Sequence, residues 1–350
     1  MTDPSPKQAL LTPEELEPAS SLARRVLEAM DTVLLGQHEL HHLVLVGILS
    51  RGHILLEGMP GVGKTAMINA LGNLMSLDFQ RVQFTPDLMP GDIVGSAILQ
   101  EQDNGKRQMV FEPGPIFTHI LLADEINRAS PKTQSAMLEA MQEQRVTTLG
   151  VTRPLPSPFF VLASQNPIDL EGTYPLPEAQ LDRFLFKIQV QNPPANVIED
   201  IIANRRRGRP PTPEPVVDAI KMDMLFAAMD RIFLPRPVAS YIARLVSATH
   251  PGQPGTPKAV ETYVTYGASP RAAIAIAEAA RAQALIAGRP TAGFEDVKAV
   301  APAVLNHRMI LNYQARFDKI DPVQLVTQLL DAVDTTGVKL PAGVEVSAAQ

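Results

Sequence analysis

His53-Ile54-Leu55-Leu56-Glu57-Gly58-Met59-Pro60-Gly61-Val62-Gly63-Lys64-Thr65 is the stretch that decides the fold. A short apolar run enters a glycine-rich turn, and Lys64-Thr65 opens a helical pattern. That is the phosphate-binding arrangement G-x-x-x-x-G-K-[ST] in its strand–loop–helix context. Each residue type has a task. Gly58, Gly61 and Gly63 let successive backbone N–H groups curl around an anion without interference from a Cβ. The helix that begins near Lys64 adds unpaired N–H groups and the positive end of its dipole. Lys64 brings a point charge to the outer phosphates, and the Thr65 hydroxyl is a ligand for Mg2+. With Pro60 and Val62 in the loop and Ala66 in the first helical turn, the stretch reads as a nucleotide site.

Upstream, Thr12-Pro13-Glu14-Glu15 has the form of a capping box with proline at the first helical position. It predicts a helix to about Leu34, with Leu16, Leu22, Val26, Leu27 and Met30 near helical spacing. Leu35-Gly36-Gln37 breaks it, and a second helix is expected from His38 to Leu49. His38, His41 and His42 have no acidic or Cys partners at metal-ligand spacing, so they read as solvated helix residues.

Downstream, a helix to about Met75 precedes an alternating strand, Arg81 to Thr85. From Pro86 to Pro115 the pattern is irregular, and Pro90-Gly91 reads as a turn. Asn104-Gly105 between Ile98-Leu99-Gln100 and Gln108-Met109-Val110-Phe111 predicts a β-hairpin on an insertion. Ile120-Leu121-Leu122-Ala123-Asp124-Glu125 is an apolar strand of the kind buried on both faces of a parallel sheet, ending in two carboxylates. Asp124 suits a role in holding Mg2+ together with the Thr65 hydroxyl. Glu125 suits that of the base that polarises an attacking water. A helix from Pro131 to Glu143 and a second hairpin around Gly150 follow. Phe159 to Ser164 forms another buried-type strand ending at Gln165-Asn166, where α/β sheets place ligands. Leu185 to Val190 is the last strand, and the alternation predicts an αβα sandwich with a mainly parallel sheet.

Composition shifts at Asn192-Pro193-Pro194, and helical periodicity without convincing strands follows. Arg205-Arg206-Arg207-Gly208-Arg209 and the proline-rich run to Pro215 read as a basic linker with a solvated helix end. Pro270-Arg271 opens an Ala-rich helix to about Gly288, and Gly293 introduces another. The expected division is 1–192 for an N-terminal helix and ATPase-type core with an insertion at about 86–115, 193–340 for a helical bundle, and 341–350 for a frayed tail.

The 350 residues include no cysteine, which excludes disulfides, thiolate metal sites and Cys nucleophiles together. A formal charge of −6 gives no bulk attraction to polyanions. No apolar run is long enough to span a bilayer, and Met1 to Glu17 lacks the basic and apolar regions of a signal peptide. A cytoplasmic protein is expected.

Three stretches carry a resemblance beyond the phosphate loop. They are Gln83-Phe84-Thr85-Pro86-Asp87-Leu88, Leu122-Ala123-Asp124-Glu125-Ile126-Asn127-Arg128-Ala129, and the run from Gly172-Thr173-Tyr174-Pro175 to Gln180-Leu181-Asp182-Arg183-Phe184. Through them the chain resembles a MoxR-type AAA+ ATPase from about residue 25 to 335. The resemblance implies a five-stranded αβα core with a helix-2 insert, a C-terminal helical lid, and a homo-oligomeric ring of usually six subunits with ATP between neighbours. It implies phosphate and Mg2+ binding by Lys64, Thr65 and Asp124, with Gly36 and Gln37 beside the adenine. It gives Glu125, Asn166, Arg183 and Arg271 the roles of base, sensor, arginine finger and lid sensor. Arg128 is also family-like, without indication of which subunit it serves. The implied activity is ATP-driven remodelling of a partner protein complex, including its maturation or metal-cofactor insertion, with a von Willebrand factor A-type partner acting in trans. A DNA- or RNA-dependent AAA+ motor is the alternative, disfavoured by the acidic charge. A small-molecule kinase has no need of the lid or of Arg183, and a GTPase lacks an N-K-x-D element.

Overall fold

The computed structural model describes residues 10–59, 61–101, 107–148, 150–167, 172–205 and 211–335. Pro60, the Asn104-Gly105 turn, Arg206, Arg207 and Arg209 of the basic run, and the tail lie outside the described residues.

Helix α1 (Pro13–Val33) starts where the capping box predicts. The Thr12 hydroxyl accepts from Glu15 N at 3.3 Å, and Glu15 Oε2 accepts from Thr12 N at 2.9 Å. Its C-terminus is closed from a distance. Arg205 donates to Val33 O at 2.6 Å and Thr32 O at 2.8 Å, satisfying carbonyls that a helix end leaves open. The first arginine of the basic run is therefore a helix cap rather than a solvated charge. After the left-handed turn at Gly36 (φ +71°) comes α2 (His38–Leu49).

Strand β1 (Ile54–Glu57), helix α3 (Lys64–Met75) and strand β2 (Phe79–Gln83) follow. β2 begins two residues before the expected strand, because Phe79 is already in register with Ile120 and Phe84 turns into the core. The insertion holds a short helix α4 (Pro90–Val94) and the hairpin β3 (Ser96–Glu101) with β4 (Arg107–Glu112). Pro90 starts the helix instead of a turn, since its fixed φ suits a first helical position. Next come β5 (Ile120–Asp124), a 3-10 turn at Ile126–Arg128, α5 (Pro131–Glu143), and the hairpin β6 (Arg145–Thr148) with β7 (Val151–Pro154). β8 (Phe160–Gln165), α6 (Glu178–Leu181) and β9 (Phe186–Gln189) complete this region.

Among the described residues the sheet has five parallel strands in the order β2-β5-β8-β1-β9. Its continuous apolar strands divide by alternation, as period-2 geometry requires. Ile54, Leu56, Ile120, Leu122, Phe160 and Leu162 face one core, with α1, α2 and α3. Leu55, Leu121, Ala123, Val161 and Ala163 face the other, with Phe84 and with Met137, Leu138 and Met141 of α5. The arrangement is an αβα sandwich.

The remaining helices are α7 (Ala195–Asn204), α8 (Ala219–Arg231), α9 (Arg236–Ser247), α10 (Lys258–Tyr263), and, after strand β10 (Val264–Tyr266), α11 (Pro270–Ile286) and α12 (Phe294–Leu305). Strand β11 (Ile310–Leu311), α13 (Tyr313–Phe317) and α14 (Pro322–Ala332) close the described chain. The apolar faces of α8, α9, α10, α11, α12 and α14 join the same core as α1 and α2. This region is not wholly helical, because β10 pairs antiparallel with β11, a partner too short to show a strand pattern.

The histidines need a second correction. His41 is fully buried, with Nδ1 2.6 Å from Asp31 Oδ1, and burial pulls its pKa down against the pull of Asp31. It lies on the inward face of α2 beside Val44 and Leu45, not in solvent. His38 also meets Asp31, and His42 meets Gln283 of α11.

Candidate active site

The phosphate loop leaves β1 at the carboxyl edge of the sheet, where open α/β sheets bind ligands. Gly58 N donates to Gln165 O at 3.2 Å, tying the loop's base to the end of β8. Gly61 and Gly63 are left-handed, at φ +87° and +90°. A Cβ built on Gly61 meets no heavy atom within 4 Å, so open space lies beside it. At Gly63 a Cβ would come within 2.6 Å of Leu34 Cδ1, which also fixes glycine there. Gly63 caps α3, and Lys64 is that helix's first residue. Its ammonium donates to Gly58 O at 2.6 Å and Gln165 O at 3.4 Å. Burial lowers the lysine's pKa against the opposing pull of Asp124, Glu125 and Glu57. Val62 is buried, while Thr65 and Ala66 are half-buried in the first turn.

Asp124 ends β5 with both carboxylate oxygens engaged. Ser164 Oγ donates to Oδ1 at 2.5 Å, while Oδ2 accepts from Arg81 at 2.8 Å and from the Thr65 hydroxyl at 3.4 Å. Burial pushes this carboxyl up, but the Ser164 hydroxyl, the Arg81 guanidinium and the Lys64 charge outweigh it and hold the pKa below its ordinary value. An ionised aspartate and a threonine hydroxyl, both oxygen donors, fit a hard divalent cation, which would take over the Oδ2 now paired with Arg81. The open, N–H-lined loop fits a polyphosphate.

Glu125 follows at φ +57°, a left-handed conformation that costs a non-glycine residue about 1–2 kcal/mol. Its backbone N–H donates to Ser164 Oγ at 3.0 Å. Its carboxylate lies 3.1 Å from Arg128 Nε and accepts from Gln83 Nε2 at 3.3 Å. Arg128 thus pairs with the glutamate of its own chain. Gln134, from α5, donates to Ile126 O, Ala129 O and Tyr174 O, and so fixes the turn after Glu125. Asn166 directly follows β8, and its carbonyl accepts from Asn127 at 3.2 Å. Lys64, Thr65, Asp124, Glu125 and Asn166 therefore gather at one edge of the sheet. Ser164, Arg81 and Gln83 join them there; no local motif marks Ser164 or Arg81, and Gln83 opens a family-like stretch without being singled out for the site. Each arrives from a neighbouring strand, and only the pairing of β2, β5 and β8 makes the contact.

Gly36 and Gln37 sit on the flank. Gly36 packs against Val197 of α7, and Gln37 Nε2 donates to Gln191 O at 3.0 Å. Both line a cavity of about 990 Å3 shared with α2, β9 and helices α11 and α12. The described residues of 58–65 are not among its walls.

Arg183 and Arg271 are elsewhere. β9 runs parallel to β1, with Ile54 beside Phe186 and Glu57 beside Gln189. Arg183 precedes β9, so it lies at the amino edge, whereas the phosphate loop follows β1 at the carboxyl edge. The intervening strand alone spans ~10 Å. At the amino edge a pocket of about 290 Å3 is lined by His53, Met141, Asp182, Arg183 and Arg271. Arg271 is 61% exposed, 3.5 Å from Asp182. The structure brings these two arginines to each other's neighbourhood and not to this chain's own phosphate loop.

A phosphate loop and an acid pair on two strands of a parallel sheet, with β8 between them, define a P-loop nucleoside triphosphatase. The chain matches the family model for the ATPase family associated with various cellular activities (AAA) over residues 53–186, and that for the AAA lid domain over 257–329. Chaperone MoxR1 of Mycobacterium tuberculosis is 42% identical, over 89% of this chain and 82% of that protein. Uncharacterized protein YeaC of Bacillus subtilis is 41% identical, over 91% of this chain and 96% of its own. A crystal structure of a candidate ATPase from Cytophaga hutchinsonii gives a TM-score of 0.83 at 38% identity, covering 92% of this chain and 97% of that one. The protein belongs to the MoxR family of AAA+ ATPases.

Proposed function

We propose that this ATPase works as a closed ring, with each nucleotide site completed by Arg183 and Arg271 of the adjacent subunit, and that it uses hydrolysis to remodel a partner protein. The observation that carries the reading is the separation of the two arginines from their own phosphate loop. A transferring phosphoryl group needs a cation on its equatorial oxygens, and an arginine supplied in trans accelerates related reactions by ~10³–10⁵-fold. Arginines at one edge and a loop at the other suit head-to-tail contacts, which close into rings. Six is the number the family resemblance suggests.

Within each site, Lys64 and the N–H groups of Gly61 to Thr65 bind the phosphates of ATP, and Gly36 and Gln37 lie toward the base. Thr65 and Asp124 would hold Mg2+, which would supply positive charge against the phosphate oxygens. Ser164 orients Asp124 through Oδ1, leaving Oδ2 toward Thr65 and Arg81. Glu125 takes a proton from water as its oxygen bonds to the γ-phosphorus and the bond to the ADP oxygen breaks, yielding ADP and phosphate. Asn166 lies beside Glu125's strand end and orients the water.

The hairpins β3–β4 and β6–β7 are the elements suited to contact a client. Residues 193–340 act as the lid. The name of chaperone MoxR1 supports a chaperone role. Maturation or metal-cofactor insertion of a client complex and a von Willebrand factor A-type partner in trans follow the family resemblance. No described helix is long and apolar enough to cross a membrane.

The test mixes two inactive variants. Lys64→Ala subunits lose their own site but keep their arginines, and Arg183→Ala subunits do the reverse. Mixed rings should hydrolyse ATP faster than either variant alone. A mixture no faster than its components would contradict shared sites.

A further inference from the structure

We infer that Arg308 is the positioning residue for the Arg183 finger, locking the finger's backbone to the lid so that Arg183 and Arg271 reach the next subunit as one unit. This rests on the reading of Arg183 as an arginine that acts in trans.

Arg308 follows α12 with only 3% of its side chain exposed. A guanidinium carries five N–H donors and no acceptor. Arg308 Nε donates to Asp182 Oδ1 at 2.8 Å, Nη1 to Leu185 O at 3.0 Å and Val304 O at 2.6 Å, and Nη2 to Asp182 O at 3.3 Å and Phe184 O at 2.6 Å. Four of the five acceptors belong to the residues flanking Arg183, and the fifth anchors the group to its own helix. The two preceding residues reinforce the strap. His307 Nε2 lies 3.1 Å from Phe184 O, and Asn306 donates to Lys187 O at 2.9 Å.

The same aspartate joins the lid's other arginine. Asp182 Oδ2 accepts from Arg271 at 3.5 Å and from the Ser269 hydroxyl at 3.3 Å, both at the start of α11. The C-terminal end of α12 and the N-terminal end of α11 therefore converge on the residue that precedes the finger. Arg183 itself makes no ion pair among the described residues, so its direction is set by the backbone beneath it. A helix cap would need only Val304 O. The other four acceptors make the group a clamp on residues 182–185. Misplacing a catalytic group by about 1 Å costs ~10²-fold in rate.

Lysine at 308 keeps the charge but has three donors on one atom, and cannot span this set. Arg308→Lys should hydrolyse ATP ~10–10²-fold more slowly, with affinity for a fluorescent ATP analogue unchanged. Mixed with Lys64→Ala subunits, its rate should recover, because its own site then faces an intact finger. Mixed with Arg183→Ala subunits, it should stay low. Asp182→Asn, which keeps an acceptor for Nε, should show the same pattern and serves if Arg308→Lys fails to fold. A wild-type rate in Arg308→Lys, or a low rate that Lys64→Ala does not rescue while it does rescue Arg183→Ala, would overturn the inference. Failure of Lys64→Ala to rescue Arg183→Ala would instead remove the trans reading on which it stands.

Discussion

Glu125 is held in a left-handed backbone conformation while its neighbour Asp124 completes a regular strand. That bend separates the two carboxylates, turning one toward Thr65 and Arg81 and the other toward Gln83 and Arg128. One acid is suited to a metal and the other to a water. Glu125→Gln preserves shape and an acceptor oxygen for Gln83 and Arg128 but removes the charge and the proposed base. ATP binding by the variant should match wild type while turnover falls ~10²–10⁴-fold. Rapid filtration for binding and phosphate release for turnover check both halves, and near-wild-type turnover would take Glu125 out of its role. The two acids were legible in the sequence because an apolar strand ending in carboxylates, downstream of a phosphate loop, has few other meanings. Ser164 and Arg81 were not, and Gln83 stood in a family-like stretch with no role attached. Their importance arises from strand neighbours 40 residues or so apart in the chain, and no spacing encodes that.

At the scale of elements, His53 ties β1 to the layers around it. Its Nδ1 accepts from Val161 N of β8 at 3.0 Å, and Nε2 donates to Met141 O of α5 at 3.2 Å. The neutral ring with its proton on Nε2 satisfies both, and a second proton would face an N–H donor. Burial lowers the pKa to about 4, despite the opposing Met141 carbonyl. The unfolded chain titrates near 6.5, so it binds more protons than the fold between these values. Stability from this group is complete above pH 6.5 and declines as pH falls toward 4, by about 3 kcal/mol in all. Denaturant unfolding of wild type and His53→Gln at pH 7 and 4.5 checks this. The wild type should lose more stability than the variant, and equal losses would assign the acid sensitivity to other groups. The sheet itself was readable because β1, β5 and β8 are apolar without interruption. β10 and β11 were not, since strands of three and two residues show no period. His41 was misread because an imidazole on an apolar helix face looks the same whether it is solvated or paired with Asp31.

For the whole molecule, the decisive feature is the distance between what the sequence groups together. Lys64, Glu125, Arg183 and Arg271 all carry motif signatures, yet the parallel sheet sends the first two to one edge and the last two to the other. Only topology reveals this, because parallel strands put every strand's start opposite every strand's end. The lid helices pack into the same core as α1 and α2, and the arginine edge joins residues 182–185 to the start of α11 and the residue after α12. On the shared-site proposal, a single subunit carries half of two sites. The most direct measurement is ATPase rate per subunit against protein concentration, for wild type and Arg183→Ala. The wild-type rate should climb cooperatively as subunits assemble, and the variant's should stay low throughout. A wild-type rate independent of concentration, left intact in Arg183→Ala, would mean a self-contained site and would contradict the shared-site account.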